Sequence, residues 1–470
     1  MLQKQIRSIH FIGICGTAMA NVAAELKAMG YQISGSDENT YPPMSTFLQT
    51  QGIKPFDGYR ESHLDHQPDL VVIGNAISRG NPEVEVTLER KLFYLSLPEL
   101  LKEFFIRNKQ SIVVAGTHGK TTSAALLSWV LENVDIDCSF LIGGIPINFG
   151  RGFKLGNGLP FVLEGDEYDT AFFDKRPKFL HYLPEIAIIN NIEFDHCDIY
   201  RDVAEIELCF QRLINLIPRN GLLVVNYDDP RCRKLSSKAF CRVASFGYSP
   251  AADWQIDNLQ ATPEGLQFTV KRNTEQLGKF ALPLIGKHNA MNAVGVLIVA
   301  YHLGLSADQI QAGFSTFKNV KRRLEICGVE KGITVFDDFA HHPTAIRQTL
   351  EGLITHYPGH RIWALFEPRS NTTRRNVFQN DFAPAFEKAY GVAIGRINRA
   401  HLLEPKERLN RNQIVTSLTA QGKPAFYSDS VDEIIDWLVP QLQKGDLVVI
   451  MSNGAFDGIH TKLLAQLQKG

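Results

Sequence analysis

The feature that most constrains this chain is the stretch Ala115-Gly116-Thr117-His118-Gly119-Lys120-Thr121-Thr122. The apolar run Ser111-Ile112-Val113-Val114 precedes it, and the helix-like run Ser123-Ala124-Ala125-Leu126-Leu127-Ser128-Trp129 follows. Strand, glycine loop and helix in that order make loop N–H groups and a helix N-terminus converge, which forms an anion cradle. Gly116, Thr117, His118, Gly119 and Thr122 supply the cradle. Lys120 is placed to reach β- and γ-phosphate oxygens, and the Thr121 hydroxyl to ligate Mg²⁺. Binding of ATP through its phosphates is the expectation. The loop departs from G-x-x-x-x-G-K-[ST], because position 114 is Val and the first glycine comes at Gly116. An ordinary P-loop kinase or GTPase is therefore disfavoured.

A chain of 470 residues is too long for one core, so about two to four domains are expected. Apolar residues at 44% and charged residues at 21% fit a soluble globular protein. A net charge of -1 offers no basic field for nucleic acid. No apolar run approaches the length of a membrane span. Met1-Leu2-Gln3-Lys4-Gln5 leads straight into a strand rather than a signal peptide. The seven cysteines are scattered without a C-x-x-C, which suits reduced thiols in a cytoplasm.

Three α/β blocks follow one another. Residues 1–108 open with a strand at 9–12, the glycines Gly13 and Gly16, a helix to Met29 and a strand that ends at Ser36 and Asp37. This is a βαβ start with a carboxylate about 20 residues past the glycines. Ala18 after Thr17 leaves out the third glycine of a dinucleotide fingerprint, so a phosphate-bearing nucleotide is a safer reading than NAD. The strand at 69–73 runs into a polar loop that carries Asn75, Arg79 and Asn81, at the strand end where ligands bind in open sheets. Residues 109–323 hold the phosphate loop, strands near 161–163 and 186–189, antiparallel strands within 240–285 and a helix at 289–303. Residues 324–470 alternate helices with strands at 334–336, 361–366, 391–394 and 446–450, a mostly parallel sheet. The expected class is α/β in three domains: Rossmann-like, P-loop ATPase-like and Rossmann-like.

Several clusters carry chemistry. Glu164-Gly165-Asp166-Glu167-Tyr168-Asp169 ends an apolar strand, where carboxylates suit Mg²⁺. His196, in Asn191-Ile192-Glu193-Phe194-Asp195-His196, reads as a metal ligand or a base. His288, Asn289 and Asn292 open a helix and can stack on and hydrogen-bond a purine, although Asn there is also a common cap. Arg323 lies at the junction of the second and third blocks and is placed to reach a γ-phosphate across a cleft. In Asp337-Asp338-Phe339-Ala340-His341-His342-Pro343, Asp338 suits a ribose, and His341 or His342 suits the substrate.

The motifs G-T-H-G-K-T-T, E-x-D-E-x-D, N-I-E-x-D-H, G-x-H-N-x-x-N, R-R-x-E and D-D-x-A-H-H-P occur here in that order. The set resembles the Mur ligase family, which joins amino acids or peptides to UDP-N-acetylmuramic acid with ATP. The resemblance spans essentially the whole chain. It implies that the first domain holds UDP-N-acetylmuramate through Gly13, Gly16, Thr17, Ser36, Asp37, Asn75, Arg79 and Asn81. It implies ATP in the second domain, with Asn289 and Asn292 at adenine, His288 beside it and Asp338 at the ribose. An acyl phosphate would form with help from Lys120, His196 and Arg323. An amine would then attack, with His341 or His342 as base. Downstream branches of the family carry a carbamylated lysine near the position of Gln211, but no lysine lies between Arg201 and Arg219 here. Thr121, Glu164 and His196 would therefore organise the metals.

The loop histidine and the D-D-x-A-H-H-P segment resemble the branch that acts on UDP-N-acetylmuramate itself. The stretches at 13–17, 36–45, 74–82, 366–372 and 451–454 resemble members that take a murein tripeptide rather than L-alanine. Arg369, Arg374 and Arg375 would meet the tripeptide's carboxylates. A monomer or weak dimer is expected, with hinges near 108 and 323.

Overall fold

The computed structural model describes residues 6–469, so the reading of Met1 to Gln5 lies outside the described residues. The first sheet has five parallel strands in the order Phe56–Asp57, Gln32–Asp37, Ser8–Ile12, Leu70–Ile73, Tyr94–Ser96. Chain order reverses beside Ser8–Ile12, which makes a switch point between the loops that follow Ile12 and Ile73. Gly13 stands at φ +86°. Its N–H and that of Ile14 donate to the Ser36 carbonyl at 2.8 and 3.0 Å. Helix Thr17–Ala28 buries Met19, Ala20, Val22, Ala23 and Leu26 on one face, the spacing of an amphipathic helix on a sheet.

The second sheet has ten strands. Its order is Glu275–Leu282, Gly265–Arg272, Trp254–Thr262, Arg242–Gly247, Leu222–Asn226, Ile186–Ile189, Gln110–Ala115, Pro160–Gly165, Ser139–Leu141, Phe153–Lys154. The outer pairs are antiparallel, and neighbours from Trp254–Thr262 to Ser139–Leu141 are parallel. Strands buried on both faces read as continuous apolar runs, as in Ile186–Ile189. Helix Lys120–Glu132 is buried on nearly every side and packs against helix Lys287–His302, so the phosphate loop rests on a fixed support.

The third sheet runs Glu325–Glu330, Ile333–Asp338, Leu447–Met451, Ile362–Phe366, Gly391–Ile394, Ala425–Tyr427, and only its first strand is antiparallel. That edge strand exposes Ile326 and Val329, so no alternation marked it in the sequence. Helix Pro343–His356 of this unit passes close to the turn before Lys287–His302. A methyl on Gly352 would lie 3.1 Å from Gly286 Cα, and Gly286 itself has φ +92°. No helix among the described residues is long and apolar enough to cross a membrane.

Candidate functional site

The phosphate loop is shaped by a segment that follows more than 70 positions later in the chain. Thr117 N–H donates to the Asn191 carbonyl at 3.0 Å, and His118 N–H to Asn191 Oδ1 at 2.8 Å. Gly116 has φ +130°, and a methyl there would lie 3.1 Å from backbone atoms of Asn190 and Asn191. Gly119 has φ +81°, and a methyl there would collide with the side chains of Asn292 and Asn190. Only glycine fits both places without strain.

Lys120 begins the helix. Its Nζ donates to the Gly116 and Thr117 carbonyls at 2.6 and 3.1 Å and to Glu167 at 2.9 Å. Burial opposes its charge, but Glu167 and then Asp166 outweigh burial and raise the pKa. Glu167 is only 2% exposed. It also takes a hydrogen bond from His196 Nε2 at 3.1 Å. Burial pushes the His196 imidazole down, yet Glu167 and Asp195 together hold it up at about 9. His196 thus donates to Glu167, at the position the sequence reading gave to a metal ligand or a base. A metal at its Nε2 must first displace that proton.

Beside Lys120, the Thr121 hydroxyl donates to Glu164 Oε1 at 2.7 Å. The other Glu164 oxygen accepts the Gly143 N–H at 2.7 Å. Arg323 Nη2 reaches the Thr121 hydroxyl at 3.3 Å, so the cation expected to cross the cleft does contact the phosphate loop. A hydroxyl and a carboxylate oxygen held side by side fit the oxygen preference of Mg²⁺. Asp195, beside His196, is buried; burial favours its neutral form, but His196, His341 and His342 hold its pKa down.

His118 Nε2 lies 3.1 Å from Glu193, and His342 Nδ1 lies 3.6 Å from the same oxygen. The two imidazole rings are 4.8 Å apart. His342 Nδ1 accepts the Thr344 N–H at 3.2 Å as a helix cap, and its Nε2 faces the Phe194 carbonyl at 3.1 Å. Burial, then the His118 charge, drive its pKa down to about 4. Both His342 nitrogens face protein partners here, so of the two histidines offered as base, His341 has the less committed ring. His341 Nδ1 faces the Phe339 carbonyl at 3.1 Å, which leaves the Nε2 lone pair 3.9 Å from Asp195. Burial lowers the His341 pKa first, against the opposing charge of Asp195.

The residues expected at adenine also brace the protein. Asn292 donates to Asn289 at 3.1 Å, and Asn289 to the Ile285 carbonyl at 2.8 Å. His288 Nδ1 is buried without a hydrogen-bond partner, and burial, helped by nearby cations, pushes the ring down to about 4. This ring lines a cleft of about 440 Å³ with Lys287, Leu259, Leu266, Gln348 and Thr355. Asp338 is turned inward. Its oxygens accept from Leu324 N–H and Ala340 N–H, each at 2.8 Å, and from Thr349 at 3.3 Å. The ribose expected there meets a carboxylate that already pins two loops.

In the first unit, Asp37 accepts the Cys15 N–H at 2.9 Å, the Ser36 hydroxyl donates to buried Glu83 at 2.5 Å, and Gly16 N–H closes the turn on the Gly13 carbonyl at 3.3 Å. Thr17 starts the helix that follows, and Asn75 is exposed on the facing loop. Two expectations meet other roles: Asn81 caps helix Pro82–Glu89, and Arg79 pairs with Glu85 at 2.9 Å. In the third unit, Arg369 lies over Gly454 and 3.5 Å from buried Glu367. Arg374 donates to Asn371 at 2.7 Å, and Arg375 lies 3.5 Å from Glu407. Sequence reasoning gave no role to Glu193, Asn190 or Asn191, and it did not separate Glu167 from its neighbouring carboxylates. Three carboxylates in E-x-D-E signal acid chemistry without saying which one grips the lysine.

Residues 8–109 match the Mur ligase family catalytic domain, 114–300 the Mur ligase middle domain and 322–454 the Mur ligase glutamate ligase domain. The chain belongs to the Mur ligase family. It is 41% identical, over 98% of both chains, to the UDP-N-acetylmuramate--L-alanyl-gamma-D-glutamyl-meso-2,6-diaminoheptandioate ligase of Escherichia coli (strain K12). It is 40% identical to the protein of the same name from Haemophilus influenzae, over 98% of this chain and 100% of that one. Among solved structures, the murein peptide ligase of Psychrobacter arcticus superposes with a TM-score of 0.72 at 37% identity over 99% of each chain. The UDP-N-acetylmuramate-alanine ligase of Thermotoga maritima shares the fold at 23% identity and a TM-score of 0.79, over 98% of this chain and 99% of that one.

Proposed function

We propose that this chain is an ATP-dependent ligase that joins L-alanyl-γ-D-glutamyl-meso-diaminopimelate to UDP-N-acetylmuramate, releases ADP and phosphate, and so returns old cell-wall peptide to a nucleotide precursor. Full-length identity near two-fifths to relatives named for this reaction carries the reading. Residues 1–108 would hold the sugar nucleotide, 109–323 ATP and 324–470 the peptide. The seven unpaired cysteines agree with work in a reducing cytoplasm, as a monomer or weak dimer.

The lactyl carboxylate attacks the γ-phosphorus, which leaves ADP and an acyl phosphate. The peptide amine attacks the acyl carbon, and phosphate departs. Both partners of the first step are anions, so the site must screen their charge. Lys120 and Arg323 converge on the phosphate loop and supply fixed positive charge there. Mg²⁺, held by Thr121 and Glu164, would neutralise phosphate oxygens. The N–H groups at the start of helix Lys120–Glu132 bind the phosphates, since those of Thr117 and His118 are held by Asn191, and the cleft beside His288 takes adenine against the neutral ring. His341 offers the free imidazole nitrogen for the amine's proton, and its depressed pKa keeps that nitrogen unprotonated at neutral pH.

The test supplies purified protein with ATP, Mg²⁺, UDP-N-acetylmuramate and either tripeptide or L-alanine, and reads ADP and product mass. Ligated tripeptide is expected. Product from L-alanine with none from tripeptide overturns the substrate.

A further inference from the structure

The loop that follows strand Ile362–Phe366 does more than present arginines. Asn371 Nδ2 donates to Asp198 at 2.6 Å and to the Tyr168 hydroxyl at 3.0 Å. Tyr168 donates to the same Asp198 oxygen. On its other side, Asn371 Oδ1 accepts from Arg374 at 2.7 Å. The next residue repeats the contact, as Thr372 accepts the Cys197 N–H at 3.3 Å. Asp198 and Tyr168 belong to the segments that carry His196 and Glu167, and the Tyr168 ring packs edge-on against His196 at 4.8 Å. An unbroken set of contacts therefore runs from Arg374 through Asn371, Tyr168, His196 and Glu167 to Lys120.

We infer that Asn371 is a positioning residue that ties peptide capture to closure over the phosphate site. The inference rests on the proposed peptide role of Arg374. The position demands a side chain that donates on one side and accepts on the other. A primary amide does both. A carboxylate keeps the arginine but faces Asp198 as a like charge. An apolar residue loses both contacts. Asn371 touches no reacting atom in this scheme; it sets the orientation of Arg374 and holds the third unit against the second.

The atom balance suggests a rescue. In Asn371→Asp, the new carboxylate still accepts from Arg374 but repels Asp198. Adding Asp198→Asn restores a donor toward residue 371 and keeps an acceptor for Tyr168. For Asn371→Asp, the tripeptide KM should rise about tenfold, and the KM for ATP by less, because it loses only the shared closure and not the Arg374 contact. The double variant Asp198→Asn/Asn371→Asp should recover most of that loss. A merely structural defect would move every KM together, or depress kcat alone.

Small-angle scattering gives a readout that needs no turnover. With a non-hydrolysable ATP analogue and UDP-N-acetylmuramate, Asn371→Asp should stay more extended than wild type, and the double variant should be as compact as wild type. An unchanged peptide KM, equal compaction in Asn371→Asp, or no recovery in the double variant overturns the inference. Wild type that ligates only L-alanine would refute the proposed substrate instead, and the scattering comparison would still decide the contact.

Discussion

Lys120 and Glu167 form a pair that is almost wholly buried, at 14% and 2% side-chain exposure. Removing one partner of such a pair costs about 3–5 kcal/mol where the other charge is stranded, and less here because His196 still donates to Glu167. Lys120→Met should therefore lower both the melting temperature and the rate, the latter by on the order of a hundredfold or more. Lys120→Met/Glu167→Gln leaves His196 facing a neutral amide, so it should regain part of the melting temperature and remain slow, which separates support from catalysis. Near-normal turnover in either variant would remove Lys120 from the chemistry. His342 gives a pH prediction. Its folded pKa of about 4 lies below the ordinary 6.5, so between these values the unfolded chain binds more protons. Stability must rise with pH across that window and fall on acidification, and His288 adds the same sign. In His342→Asn the helix cap is kept, and the slope of melting temperature against pH between about 4 and 6.5 should flatten. An unaltered slope would show that His342 is not a source of it.

At the level of elements, the phosphate loop tests its own geometry. Gly119→Ala places a methyl against Asn292 and Asn190 at φ +81°. A left-handed non-glycine residue costs about 1–2 kcal/mol before any clash. ATP affinity should drop while far-UV circular dichroism stays unchanged, because helix Lys120–Glu132 is held by its burial rather than by the loop. Unchanged affinity would mean the loop relaxes freely. This element was legible in the sequence because an apolar strand, two glycines and a helix sit in unbroken succession. The first sheet was legible for the same reason. Asp37 could be singled out because it ends a strand beside the glycine turn. The structural part played by Asp338 was hidden because Asp337-Asp338 offers two equal carboxylates. Register alone turns Asp338 inward and leaves Asp337 to Arg322 at 3.0 Å. The grip of Asn191 on the loop was hidden, since it arises only when Ile186–Ile189 pairs with Gln110–Ala115. The contacts of His342 with Thr344 and Phe194 were hidden as well, because Phe194 lies far away in the chain.

For the whole molecule, the centre is assembled from separate units. Arg323 approaches Thr121 from the junction of the second and third units, and His342 of the third unit faces His118 of the phosphate loop. Anionic ligands that gather these cations should favour the compact arrangement, as expected when closure precedes chemistry. Scattering of wild type should show a smaller radius of gyration with ATP analogue and UDP-N-acetylmuramate together than with neither. Arg323→Ala should blunt the change. An identical profile with and without ligands would exclude closure as a step.

The bare backbone crossing of Gly352 over Gly286 gives such a motion a bearing. With glycine at both crossing points, one unit can swing on the other against the Gly286 main chain and the Ile285 side chain. Enlarging Gly352 by a single carbon would act as a wedge in a door, propping the entrance ajar while leaving every reactive group in place.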